Sequence, residues 1–516
     1  MRLFRILLVL AGASSLALGQ TNAPGKVRQL SLQDCLQLAA QHNLQLQITR
    51  YSPVIQMYTL RATYGDYDPT FSLSGQHDHS EAGNQLLGGG FTIPGSVSDD
   101  DSFSSGLKGL LPWGMTYNLA TLNPIKDTYG HVPTLVVNSN TIPFTTNIVN
   151  DPFENSVGSV GASLTQPLLK NFWMDATRLN IQVNKNRLKW EEIALQLQLM
   201  QTFTKVEQAY YDLIYNRENL IVKQKAVELA ERLVIENKKR LEVGALAPLD
   251  LQSAEAQAAS SRAAVIKAQS DLDTQERVLK QLISADYGPE WATVRLDPTG
   301  KLLAPPPILN LQDSWGKALT QRPELLQAKL DVEKQGVTLK YDKNQLYPQL
   351  DVFGTYGYNG SGKEFSDALY DIQQTDRPFY TYGGQLTIPL SRTRVRNVYK
   401  ADKATMEQLV LTVKQWEQTI MITIDNDIGI IRASFDAVQA TRAARQYEEA
   451  ALGAEQKKLE SGKSTTYTVL QVQRDLTNAR GDEIQALDAY NKNLSQLSLD
   501  EATTLERLNI DFNATK

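Results

Sequence analysis

The chain has 516 residues, a formal net charge of −5 and 42% apolar residues. Without a basic excess nucleic-acid binding is disfavoured, and the apolar share suits an ordered protein. The one cysteine, Cys35, cannot close an intramolecular disulfide and is expected to pack as a small apolar residue inside a helix.

At the start, Arg2 and Arg5 precede an apolar run over 6–18, and Ala17 and Gly19 offer a cleavage site before Gln20, so residues 1–19 read as an export signal. No cysteine follows that site, which argues against a lipid anchor. A helical pattern then opens at Leu32-Gln33-Asp34, with Ser31 placed to cap the free N–H groups of its first turn. The same start recurs 279 residues later as Leu311-Gln312-Asp313 behind Asn310, and Pro348 and Gly354 match Pro69 and Gly75. The chain is therefore a tandem duplication, 20–283 and 310–516, joined by a linker at 284–309 that Pro298, Gly300 and Pro305-Pro306-Pro307 keep from being helical.

Each repeat carries strand patterns, at about 70–79 and 157–166 in the first and about 349–359 and 379–389 in the second. Tyr380, Tyr382, Gly384, Leu386 and Ile388 alternate with Thr381, Gly383, Gln385 and Thr387, as in a strand with lipid on one side and water on the other. A 57-residue excess in the first repeat places an insertion within 80–156, expected as a long polar connection on the extracellular rim. It contains a candidate hairpin from Phe103 to Leu119 around Pro112-Trp113-Gly114, which either adds to the sheet or stands outside it.

Each repeat ends in a long helical hairpin, about 176–283 and about 393–506. Apolar residues recur every seven positions at Leu199, Val206, Leu213, Leu220, Val227, Val234 and Leu241, a coiled-coil seam. At an offset of 218 the second hairpin repeats it with Ile424, Ile431, Val438, Leu452 and Leu459, broken once by Arg445. The fold class that follows is mainly α with a β-barrel portion. Four strands per chain cannot close a barrel, so several chains must share one. After the signal no window of 18 apolar residues remains to form a membrane helix.

The chain resembles the TolC-like outer-membrane efflux protein family over nearly all of its mature length. The likeness rests on the duplicated Leu-Gln-Asp starts, the strand closures Gln166-Pro167 and Ile388-Pro389, and the tips Arg240-Leu241-Glu242-Val243-Gly244 and Lys458-Leu459-Glu460-Ser461-Gly462. It implies a homotrimer with a shared twelve-stranded outer-membrane β-barrel and a periplasmic α-helical tunnel that closes at its tip. It implies no chemistry, cofactor or metal, but a passive exit duct of a tripartite efflux or type I secretion complex, joined through a periplasmic adaptor to an inner-membrane transporter. Adaptor docking is expected at Gly244, Ala245, Leu246 and Ala247 and at Gly462, Lys463, Ser464 and Thr465. Family members carry an acidic gate pair six and nine residues past the second tip glycine; here those positions are Thr468 and Gln471, and only Asp250, six past Gly244, keeps an acid. Asp250 also reads as a solvated or helix-starting residue. The alternative function, a non-conducting periplasmic coiled-coil scaffold, would need no lipid-facing strands.

Three weaker signals are set aside. Ser461-Gly462-Lys463-Ser464-Thr465 lacks the preceding strand and first glycine of a phosphate loop. His77-Asp78-His79 puts two imidazoles on one face without a third His or Cys ligand nearby, and is expected in a solvated loop. Asp425 and Asp427 fall on different faces of one helix.

Overall fold

A computed structural model describes residues 27–87, 91–138, 145–244 and 247–510; the export signal, Ala245 and Leu246 lie outside the described residues. In chain order, β1 (Val27–Leu30), α1 (Leu32–His42) and α2 (Leu44–Tyr64) lead to β2 (Thr70–Glu81). The short pair β3 (Gln85–Leu87) and β4 (Phe91–Ile93) is followed by β5 (Val97–Leu110), β6 (Thr116–Asn138) and β7 (Thr145–Pro167). The first long hairpin is α3 (Ala176–Glu242) with α4 (Pro248–Ile283), after which come α5 (Pro289–Thr293) and β8 (Arg295–Pro298). The second repeat runs α6 (Leu311–Gln321), α7 (Pro323–Gln345), β9 (Gln349–Gly362), α8 (Phe365–Gln374) and β10 (Pro378–Thr387). It closes with α9 (Thr393–Glu460), α10 (Thr466–Asp500) and the single turn α11 (Thr504–Arg507). The described residues divide into two compact units, a sheet unit within 49–197 and 319–421 and a helical unit within 27–48, 198–318 and 422–510.

In the sheet unit, six strands pair antiparallel in the order β10-β9-β7-β6-β5-β2. Four strands per chain were expected, so this is a correction: the insertion supplies β5 and β6, which pair inside the sheet between the two first-repeat strands. Directly opposed residues share a face, and one such row crosses all six strands as Phe71, Leu107, Leu119, Ala162, Tyr356 and Tyr380. The adjacent row, on the other face, reads Ser72, Gly106, Ala120, Gly161, Gly357 and Phe379. The first row is apolar and aromatic, and Phe71, Leu119, Tyr356 and Tyr380 are exposed. The second is mostly small. That division is what a sheet with lipid outside and water inside requires. The β5–β6 turn places Gly114 at φ +89°, its N–H donating to Leu111 O at 2.8 Å. A Cβ there would come within 2.7 Å of Arg178 Nη2, so the turn is seated against the start of α3.

His77 and His79 lie in β2 and not in a loop, with Nδ1 at 2.8 Å from Asp101 Oδ1 and 2.5 Å from Asp99 Oδ1 of β5. The alternation that put both imidazoles on one face also puts the partner aspartates there. No group of three or more His, Cys, Asp or Glu among the described residues could hold a metal ion.

In the helical unit, α1 starts with a capping box: Asp34 N donates to Ser31 Oγ at 3.2 Å and Ser31 N to Asp34 Oδ2 at 2.9 Å. At the second repeat Gln312 N donates to Asn310 Oδ1 at 3.1 Å. Cys35 is fully buried, and burial pushes its thiol up to about 12, as fits an inert packing residue. The linker is partly ordered, because β8 pairs parallel with β1 from Val27↔Arg295 to Leu30↔Pro298. Tyr210 of α3 locks that ladder, its hydroxyl donating to Leu30 O at 3.1 Å while Gly300 N donates to it at 2.9 Å.

The seam of α3 is buried at Leu199, Val206, Leu213 and Leu220 and then turns to Ala230, Leu233 and Asn237, leaving Val227, Val234 and Leu241 half-buried. A strict seven-residue stripe drifts by about 20° per heptad on a straight α-helix, so over this length the buried line changes positions. In α9 the line stays on Ile424, Ile431, Val438, Leu452 and Leu459. Arg445, its one break, ion-pairs with Glu449 at 3.0 Å and with Glu483 of α10.

Candidate functional site at the hairpin tips

Both tips are built by a left-handed glycine. Gly244 has φ +72° and Gly462 φ +74°, where an L side chain would be strained, although open space surrounds each. At the second tip Gly462 N donates to Leu459 O at 3.2 Å and Lys463 N to Lys458 O at 2.8 Å, a complete Schellman closure of α9. At the first, Gly244 N donates to Leu241 O at 2.9 Å.

The return helices start differently. Thr465 caps α10, its Oγ1 accepting from Thr468 N at 3.2 Å and lying 2.9 Å from Thr468 Oγ1. Ala247 caps α4 without a side-chain acceptor, and Pro248 follows as its first residue. Asp250, half-buried, sits in that first turn, where a carboxylate complements the helix dipole. Thr468 is thus committed to capping, and Gln471 is exposed one turn further on. Gly244, Ala247, Gly462, Lys463 and Thr465 are exposed and Ser464 is half-buried.

Two tip residues escape a reading of the sequence. Glu455 of α9 receives Ser464 Oγ at 2.5 Å and lies 2.9 Å from Lys458 Nζ. The Ser464 hydrogen bond, then Lys458, holds its carboxyl below the usual range. Asn237 of α3 is fully buried, its Oδ1 accepting from Thr466 Oγ1 at 3.5 Å, a link between the first hairpin and the start of α10. Beside it Leu233 packs with Leu452, Leu459, Val469, Leu470 and Leu476. Apolar side chains thus join the hairpins just behind exposed polar tips. The Glu455–Lys458 pair is a local i,i+3 contact, whereas Ser464 on Glu455 and Thr466 on Asn237 are partners that only tertiary geometry reveals.

An open sheet with one apolar face, joined to duplicated helical hairpins, is the architecture of an outer-membrane channel. Residues 134–285 and 315–499 match the outer membrane efflux protein family, and the chain belongs to that family. Outer membrane protein TolC of Vibrio cholerae serotype O1 is 23% identical over 359 residues, 67% of this chain and 78% of that protein. Outer membrane efflux protein BepC of Brucella suis biovar 1 is 23% identical over 332 residues, 64% of this chain and 69% of that one. The solved structure of the outer membrane protein VceC of Vibrio cholerae superposes with a TM-score of 0.64 at 16% identity, covering 93% of this chain and 96% of that one, which shows the shared fold. The protein resides in the cell outer membrane and extends into the periplasm, and it is an efflux channel in the general sense of its family.

Proposed function

We propose that this protein is the passive exit duct of a tripartite complex, three copies sharing one barrel and one helical tunnel, with an inner-membrane transporter supplying the cargo and a periplasmic adaptor docking on the tips. The observation that carries this reading is the sheet: apolar on one face, small and polar on the other, and open at β2 and β10. Open edges are not tolerated in lipid, so copies must pair edge to edge. No catalytic step is assigned, and the duct does no chemistry. The exposed glycine-turned tips at Gly244 and Gly462, with their chain neighbours Ala245, Leu246, Ala247, Lys463, Ser464 and Thr465, are the adaptor surface, and of the gate positions Asp250, Thr468 and Gln471 only Asp250 supplies an acid, one per copy.

Crosslinking at the tips in cells, followed by identification of the captured adaptor and pump, tests the assembly. Gly244→Asp and Gly462→Asp should each leave trimers intact and stop export; normal export from both refutes docking at the tips. For the gate, block of the closed pore by trivalent cations in planar bilayers should be weak and fall further in Asp250→Ala. Strong block that survives the substitution removes Asp250 from the mechanism.

A further inference from the structure

We propose that the outer-membrane pore of this protein is an eighteen-stranded barrel, three copies contributing six strands each, in which β5 and β6 are full barrel staves and widen the exit. The inference rests on the trimeric reading above and adds the size of the pore.

The inserted strands are bonded on both flanks. From Thr70↔Lys108 to Glu81↔Val97, β5 follows β2 without a break, and β6 follows β7 from Thr116↔Thr165 out to Asn138↔Thr145 with two local shifts. An appended surface hairpin would bond along one side only. Both strands also keep the barrel alternation: Leu107 and Leu119 lie in the apolar row, and Gly106 and Ala120 in the small one. On the small-residue side, Ser74 Oγ and Ser104 Oγ lie 2.7 Å apart across β2 and β5. The seat of the Gly114 turn against Arg178 fixes the inserted hairpin at the end of the sheet where α3 departs.

Insertion of two strands is also topologically neutral. Antiparallel neighbours alternate in direction, so one added strand would leave the chain on the wrong side of the membrane, whereas a pair returns it to the same side. The consequence is width. With strands about 4.8 Å apart and tilted by about 40°, a twelve-stranded barrel has a backbone diameter of about 24 Å and an eighteen-stranded one about 36 Å. A lumen lined by small side chains at that diameter passes bulkier cargo than a twelve-stranded exit, and the barrel ceases to be a narrow point of the duct.

The test uses the detergent-solubilised full-length protein. Mass measurement first counts the copies, and electron cryo-microscopy of the same particles counts the strands. A trimer with eighteen strands is expected. A trimer with twelve, its inserted hairpins outside the ring, overturns this inference alone, whereas a particle that is not a trimer overturns the trimeric reading and the count together. An independent check places cysteines at Ser74→Cys and Ser104→Cys, the buried Cys35 being out of reach of a water-soluble oxidant. Membrane-assembled protein should then form an intrachain disulfide in most molecules, read as a gel shift reversed by reductant. Normally assembled trimers that form none show β2 and β5 to be apart and overturn the proposal.

Discussion

The two repeats agree in their helices and disagree in their sheets. Helices α3 and α9 have 67 and 68 residues and α4 and α10 have 36 and 35, whereas the first repeat puts four strands into the shared sheet and the second only two. The difference shows where length is constrained. Each helical hairpin buries its stripe against other helices over many turns, so adding a few residues there would rotate everything beyond them out of register. A sheet whose two faces meet lipid and water accepts another hairpin without disturbing either face, provided strands arrive in pairs.

Proline in the middle of the buried line should produce the largest effect and should strike both repeats alike. Leu213→Pro and Ile431→Pro, each at a position no more than 1% exposed, remove a helical hydrogen bond and introduce a clash worth about 3 kcal/mol or more, and trimer yield from membranes should fall to background. Normal yield from either variant breaks the equivalence of the two helices.

The next effect should separate the repeats. Glu207 is wholly buried and ion-paired to Arg507 of α11, while Asp425, its counterpart 218 residues on, is exposed. Glu207→Ala strands a partly exposed guanidinium and should cost about 2–3 kcal/mol, whereas Asp425→Ala should stay within about 0.5 kcal/mol. Denaturant melts of the two variants measure the difference, and equal losses would show that the C-terminal turn does not favour the first repeat.

A third asymmetry is pH-dependent. Burial, and then the charge of Asp212, pushes Asp488 of α10 up to about 6, although Lys492 Nζ lies 3.7 Å away; the matching residue in α4 is Ser270. Because the folded-state value exceeds the unfolded one, its contribution to stability is complete below pH 4 and is lost as pH rises through about 6. Asp488→Asn should therefore flatten the stability profile between pH 4 and 6 and raise stability at pH 7 by up to about 3 kcal/mol. An unchanged profile would show that Lys492 compensates the charge in full.

The smallest effect concerns the tips. Thr465→Ala should loosen the start of α10 by about 1 kcal/mol, and Ala247→Ser should tighten the start of α4 by up to the same amount. Hydrogen exchange in the first turns of both helices reads these shifts, and identical protection in the parent protein would sharpen the comparison by showing that Pro248 and Asp250 already replace a cap.

The helical hairpins were legible in the sequence because burial along a helix imposes a period that repeats for many turns. Duplicate glycines at Gly244 and Gly462 marked where it stops. The inserted strands showed only as a candidate hairpin from Phe103 to Leu119, for a local reason: register shifts between Phe103 and Gly106 and between Thr121 and Lys126 interrupt the period-two pattern on both strands. Asp99 and Asp101 fall within the insertion expected as a polar connection, yet their carboxylates face His79 and His77 across a ladder. At the tips the turns were readable from their glycines, while the contacts of Glu455 with Ser464 and of Asn237 with Thr466 exist only once folding brings the partners together. In α3 the seam was read correctly as far as Leu220 and lost beyond it, while in α9 it holds to Leu459, since a pattern written every seven residues cannot show where a helix stops following it.

The short ladder between β1 and β8 carries a consequence for the order of assembly. It is parallel and joins residues near 27 to residues near 295, closing a loop of some 270 residues, an entropic cost of about 5 kcal/mol beyond the constant term. In an exported chain Val27 emerges first and its partner Arg295 only after the whole first repeat has crossed. Until then β1 has an unpaired edge and the hydroxyl of Tyr210 lacks the Gly300 N–H that donates to it. The ladder therefore closes only when the first repeat is complete, and a chain interrupted before residue 295 keeps β1 without its partner strand.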